Sequence, residues 1–177
     1  MVRQRLWEYD WHETLTLMAG LMKQPIGLIE VIAAEKDDIF GTQLLLAGRC
    51  VAECGEVEGE LVDGIVDWVY QFWLAAPWLE FIQNVVVAIG QSTDKVIDAL
   101  IAALNDEARY VRESAAEALG KIGSSTCLEK LLQSADRNLI CRSDVFLVAR
   151  SLAIRFSKAG LPFIPVYLEV VGRKDEG

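Results

Sequence analysis

Neither half of the stretch STDKVIDALIAALNDEARYVRESAAEALGKIG, residues 92–123, is long or apolar enough to be stable as an isolated helix, and this limits the folds open to the chain. In the first half Val96, Ala99, Leu100, Ala103 and Leu104 recur at helical spacing on one face. Asp94 stands where an N-cap acceptor would hold the first free amides, and Asn105-Asp106 breaks the pattern. In the second half the stripe is Val111, Ala115, Ala118, Leu119 and Ile122, with Gly123 placed to end the helix in a left-handed conformation. Glu113 and Glu117 lie off that stripe, and the small Ala115, Ala116 and Gly120 let another helix come close. Two short amphipathic helices folded back on each other must stack on further pairs of the same kind.

The same stripe of small and apolar residues recurs along the chain. Ala88-Ile89-Gly90 matches Ala118-Leu119-Gly120 at a spacing of 30, and Ser151-Leu152-Ala153 matches it at 33. Leu44, Ala47, Gly48, Val51 and Ala52 repeat the pattern earlier, closed by Gly55. Leu15, Met18, Leu21 and Met22 mark a first helix, Pro25 suits the start of the next, and Pro77 makes a turn. The register predicts one row of helices at about 10–23, 38–54, 78–90, 108–122 and 140–157. A second, outer row falls at about 25–36, 59–76, 93–105, 124–134 and 161–171. The expected fold is therefore all-α, an α-solenoid of about five antiparallel helix pairs in a single domain spanning 1–177. Its most regular repeats lie at 78–134, with atypical pairs at 10–76 and a truncated or capping pair at 138–171.

The signature YVRESAAEALGKIG resembles the HEAT-like repeat named after phycobilisome lyases. A second resemblance rests on the W-x-E-x-x-x-x-x-A-G-L run at Trp11–Leu21 and on DDIFGTQLLLAGRCVAE at Asp37–Glu53. These are similar to the helical region that follows the NTPase module in bacterial, especially cyanobacterial, NACHT-type STAND ATPases. That resemblance implies a sensing or scaffolding arm in signal transduction. It carries no ATP site, because G-x-x-x-x-G-K-[ST] is absent and Gly120-Lys121-Ile122-Gly123 is only a helix end. The first resemblance leaves open an alternative, a phycobilisome lyase-like protein assisting bilin attachment, which would need a chromophore-binding partner.

Composition narrows the partners. A net charge of −9 argues against nucleic acid, whose phosphates call for a basic surface. Residues 28–67 carry ten acids against Lys36 and Arg49, and residues 137–158 reverse the sign. Residues 61–90 are the most membrane-like stretch, but Asp63, Asp67, Pro77, Glu80, Gln83 and Asn84 interrupt it. The N-terminus shows no signal peptide, and Cys50, Cys54, Cys127 and Cys141 form no disulfide framework, which suits the reducing cytoplasm.

Catalytic chemistry is hard to assemble. His12 is the single histidine, with no Ser or Cys placed against it, and is read as an exposed or capping residue. His12-Glu13 is similar to one half of an iron-ligand pair in HEAT-type deoxyhypusine hydroxylases, which need several such pairs. Cys50 and Cys54, four residues apart, would make half a metal site with nothing to complete it. Asp37-Asp38 and Glu56/Glu58/Glu60 fall at helix starts and in loops, where they compensate helix dipoles. Arg112 is read as pairing with Asp106 in the turn. No catalytic, cofactor or metal site is expected.

The expected function is protein or peptide binding. One candidate surface is the off-stripe column Arg49, Val87, Glu117 and Arg150, with Glu53, Gln83, Gln91, Glu113 and Lys121 a turn away. The other is helix 59–76, whose polar residues are confined to Glu60, Asp63, Asp67 and Gln71. Its aromatic side chains Trp68, Phe72 and Trp73 are apolar interface candidates, and with the apolar end GLPFIPVYLEVVG they allow for a homo-oligomer.

Overall fold

The computed structural model of the chain describes residues 2–55, 57–136 and 148. Among them the secondary structure is all-helical, in the helix-pair arrangement of the α-solenoid class. A 3-10 turn at Val2–Gln4 precedes α1 (Tyr9–Leu21), α2 (Ile26–Ala33), α3 (Thr42–Cys54), α4 (Glu60–Ala75) and α5 (Glu80–Ser92). There follow α6 (Asp94–Ala103), α7 (Arg109–Ile122) and α8 (Ser125–Asp136). The helices expected at 140–157 and 161–171 lie outside the described residues, apart from the buried, helical Val148. The chain divides into two compact units, Met1–Val96 and Ile97–Gly177, a boundary within α6 that the sequence periodicity did not mark.

The first unit is built on α3, which packs against α1, α2, α4 and α5. Its apolar side chains Leu45, Leu46, Ala47, Cys50 and Val51 are all buried, so this helix is covered on several sides. At Gly48 side chains of both α4 and α5 come close to α3. A Cβ there would meet Val85 Cγ1 at 2.9 Å, Val69 Cγ2 at 3.0 Å and Ile89 Cδ1 at 3.3 Å.

The start of α3 differs from the expectation. The helix was read as beginning at Asp38, yet it begins at Thr42, after a tight loop that leaves Ile39 and Phe40 exposed. Side-chain capping by two consecutive carboxylates accounts for this. Asp38 Oδ1 accepts the Phe40 and Thr42 amides, each at 3.0 Å, and its Oδ2 accepts the Thr42 hydroxyl at 2.8 Å. Asp37 accepts the Gln43 and Leu44 amides, each at 2.9 Å. Four backbone amides around the helix start are thereby satisfied, at the end where the dipole favours negative charge. Gly41 bridges the two at φ 65°, a left-handed conformation suited to glycine.

The face of α1 is also corrected. Its buried residues are His12, Leu15, Thr16 and Ala19, one row at i, i+3, i+4 and i+7, whereas Leu21, on the opposite side of the helix, and Met22, past its last turn, are exposed. The Leu6 carbonyl binds this unit's first turn to its core. It accepts from His12 Nε2 at 2.8 Å and from Gln43 Nε2 at 3.1 Å.

In the second unit Leu100 and Ala103 on α6, Leu104 just past its end, and Val111, Ala115, Ala118, Leu119 and Ile122 on α7 are buried as the stripes predict, whereas Ala99 is only half-buried and Ile97 and Ile101, outside the predicted stripe, are buried with them. Gly123 ends α7 at φ 55°, its amide donating to the Leu119 carbonyl at 3.0 Å. Asp94 is the first residue of α6 and not the residue before it. Arg112 does meet Asp106, but through its backbone. The guanidinium donates to the carbonyls of Asp106 and Glu107 at 2.8 and 3.0 Å, while the Asp106 carboxylate accepts the Ala108 amide at 2.8 Å.

Replacing Asp37 by Ala removes two amide acceptors and is expected to lower stability by about 1 kcal/mol in urea titration. The Asp38 carboxyl is held below its ordinary range, chiefly by the Thr42 amide. A lowered folded pKa adds stability that is complete above the unfolded value of about 4 and is lost as pH falls through the folded value. The urea midpoint of the native chain should thus fall more steeply below about pH 4 than that of Asp38→Asn. Parallel acid limbs for the two would count against the cap.

Candidate functional site

The structure separates the residues singled out from the sequence. Of the off-stripe column, Arg49 is half-buried and pairs with Glu13 at 2.7 Å across α3 and α1, and Glu53 and Gln91 are exposed. Val87 is half-buried. Gln83 is a correction: it is only 5% exposed and belongs to the core of the first unit. α5 is covered by both α3 and α4, which widens its buried face past the apolar stripe. In the second unit Glu113 and Glu117 are exposed and make ion pairs within α7, Glu113 with Arg109 and Glu117 with Lys121, each at 2.8 Å. Arg150 lies outside the described residues.

The aromatic candidates on α4 divide as well. Trp68 is 69% exposed, whereas Trp73 is fully buried and stacks on Tyr70 at 5.7 Å between ring centroids, so Trp73 is a core residue and not an interface one. Phe72 is half-buried, its ring against Gly41. Helical geometry explains the split. Val62, Val66, Val69 and Trp73 follow one row at i, i+4, i+7 and i+11, whereas Trp68 lies on a flank with Leu61 and Gly64.

That flank forms one wall of a cleft of about 420 Å³ in the first unit. Its floor is Leu44 and Ala47 of α3, and the far side is the end of α2 with its following loop, through Ala33, Glu35 and Asp37. The cleft exists because α2 and α4 both pack on α3 without comparable contact with each other, and because α2 spans 8 residues against 16 for α4. Gly64 keeps it open, since a Cβ added there meets nothing within 4 Å. The sequence reading placed Leu44 in the apolar stripe of α3 and took Glu60 as a dipole-compensating acid, and it did not single out Gly64 or Glu35. A glycine in the middle of an apolar helix was the available signal, because it weakens the helix without a turn to make.

A second cleft, of about 550 Å³, lies at the α3–α4 connection, lined by Val51, Val57, Glu58, Asp63 and Thr93 among others. Nearby, Lys95 bridges Asp63 at 3.3 Å and Asp67 at 3.0 Å, and these carboxylates, Asp67 first, raise its pKa.

His12 is a second correction. It is neither exposed nor a cap, but buried and committed to the Leu6 carbonyl. Burial pushes the Cys50 thiol up to about 12, with Cys54 adding to the shift, and the Cys127 thiol up to about 11. Both are therefore protonated at neutral pH, the unreactive state for a nucleophile or metal ligand. Among the described residues no group of three or more His, Cys, Asp or Glu is placed to hold a metal ion, and no helix is long and apolar enough to cross a membrane.

Residues 76–150 match the family model for HEAT repeats. That segment, which takes in α5 to α8, is similar to HEAT repeats. Comparison with curated proteins and with solved structures returns no match.

Peptide-level mass spectrometry of the folded chain treated with iodoacetamide near pH 8 should show Cys54 alkylated at least about tenfold faster than Cys50 or Cys127. Comparable rates would mean that the two buried thiols are not held in the core. Gly64→Ala, which meets no neighbour, should raise stability by about 0.5–1 kcal/mol through helix propensity alone.

Proposed function

We propose that the protein is a non-catalytic interaction module that holds a protein or peptide partner in the reducing cytoplasm. The observation that carries this reading is the cleft beside Trp68: apolar side chains and an exposed indole are arranged around open space in the helices that precede the HEAT-like segment. HEAT-type repeats use their extended surfaces for partner binding, and a large exposed aromatic beside a cavity is the usual anchor in such contacts. The state of the nucleophile candidates is consistent with this, because His12 is spent on a backbone carbonyl and the Cys50 and Cys127 thiols are protonated.

The more specific reading is the sensor or scaffold arm of a NACHT-type signalling system, acting in trans on an NTPase carried by another chain. The similarity of Trp11–Leu21 and Asp37–Glu53 to the helical region after such NTPase modules supports it. The test is affinity capture of the tagged full chain from its native host after mild crosslinking, with Trp68→Ala as the control. Recovery of a Walker A-bearing NTPase, reduced in the control, is the expected result. Recovery of a phycobiliprotein would instead favour the lyase-like role, and turnover of a bilin substrate would overturn the non-catalytic reading.

A further inference from the structure

The cleft between α2 and α4 has a chemistry that selects among partners. We propose that it takes an amphipathic helix with a basic edge, supplied by a protein partner. This deepens the interaction-module reading and rests on it.

Shape comes first. Leu44 and Ala47 are one turn apart on α3, and Leu61, Gly64 and Trp68 are successive turns on α4. The two rows make a trough roughly along the helix axes, about 10 Å long from Leu61 to Trp68 at 1.5 Å per residue. A trough walled by rows at i, i+3 and i+7 receives the corresponding ridge of another helix, and two turns of apolar side chains fill a trough of this length. An extended strand would place its side chains on alternate faces and leave half of them outside.

Charge comes second. The ionisable residues lining the cleft are Glu35, Asp37 and Glu60, all acidic. Asp37 is occupied by the amides at the start of α3. Asp63 and Asp67 on the neighbouring face share one cation, Lys95. Glu35 and Glu60 stand on opposite sides of the trough, and among the described residues neither carboxylate makes an ion pair or hydrogen bond. Lys36 is a nearby cation but does not line the cleft. Two unpaired carboxylates across an apolar floor call for Lys or Arg on either side of the incoming ridge, and the exposed Trp68 face can take the aliphatic stem and charge of one of them. An acidic helix would bring like charges together at both edges.

The test uses the full chain, fluorescently labelled, against a yeast-displayed library of helices about fifteen residues long. Each has fixed Leu or Ile at i, i+4 and i+7, and Lys, Arg, Glu, Asp, Gln or Ser at every other position. Enrichment of Lys and Arg flanking the apolar ridge is expected. The enriched helices should bind Gly64→Leu, which fills the trough, and Glu35→Lys/Glu60→Lys at least about tenfold more weakly, and binding should weaken with added salt. The charge-reversed pair stands alone as a test if Gly64→Leu disturbs the fold by circular dichroism. Enrichment of neutral or acidic helices, binding unaffected by either variant, or no enrichment would overturn the proposal. So would self-association of the chain that Gly64→Leu abolishes, since the occupant would then be a second copy. If the native partner is still captured by Gly64→Leu, the interaction-module reading survives and the trough is not its site.

Discussion

The first unit depends on one helix being covered on several sides. α3 has small residues where its neighbours approach, and at Gly48 the side chains of Val69, Val85 and Ile89 fill the space a larger residue would need. Packing of this density transmits position, because helices that touch through small residues cannot slide without opening a void. The arrangement also needs α3 to start in a defined place. The paired carboxylates Asp37 and Asp38 do that by satisfying its free amides within one tight loop. Core packing and capping thus fix the same helix from two directions.

Periodicity made much of the fold legible, since the burial of a short helix's apolar stripe leaves few alternatives. The α7 stripe from Val111 to Ile122 and its Gly123 terminus follow directly from spacing and turn chemistry. The start of α3 did not, because Ile39 and Phe40 continue a helical pattern that side-chain capping overrides. Gln83 and Trp73 were misplaced for another reason. A stripe shows which face is buried, but the width of that face depends on how many neighbours cover it. α5 is covered by two helices, and Gln83 falls in the added margin. Trp68 and Trp73 carry the same residue type on one helix and differ only in angular position.

Ion pairs record the repeat more plainly than composition does. Lys95 reaches back to Asp63 on the preceding outer helix, and Lys130 reaches back to Asp98 at 2.7 Å, each across 32 positions of sequence. Exposed pairs of this kind contribute little to stability, typically under about 1 kcal/mol. Their value is as markers of register: the same offset recurs within each unit, although the residues around it differ. Arg49 and Glu13 make the corresponding pair between α1 and α3, at an offset of 36, where the repeat is longer.

The longer offset and the cleft occur in the same part of the chain. Regular repeats bury their helices evenly and leave shallow seams. Where α2 stops at Ala33 while α4 continues through 16 residues, the longer helix keeps a flank that α2 leaves partly open, with Leu61 and Gly64 half-buried and Trp68 exposed. Leu61, Gly64 and Trp68 occupy that flank, and the acidic residues of the surrounding loops are brought to its rim. A departure from periodicity therefore does two things at once. It removes the packing partner of an apolar surface, and it sets beside that surface the polar residues that connections carry. Stability is supplied by the regular stripes, which leaves the irregular pair free to differ in shape and charge and so to distinguish one partner from another.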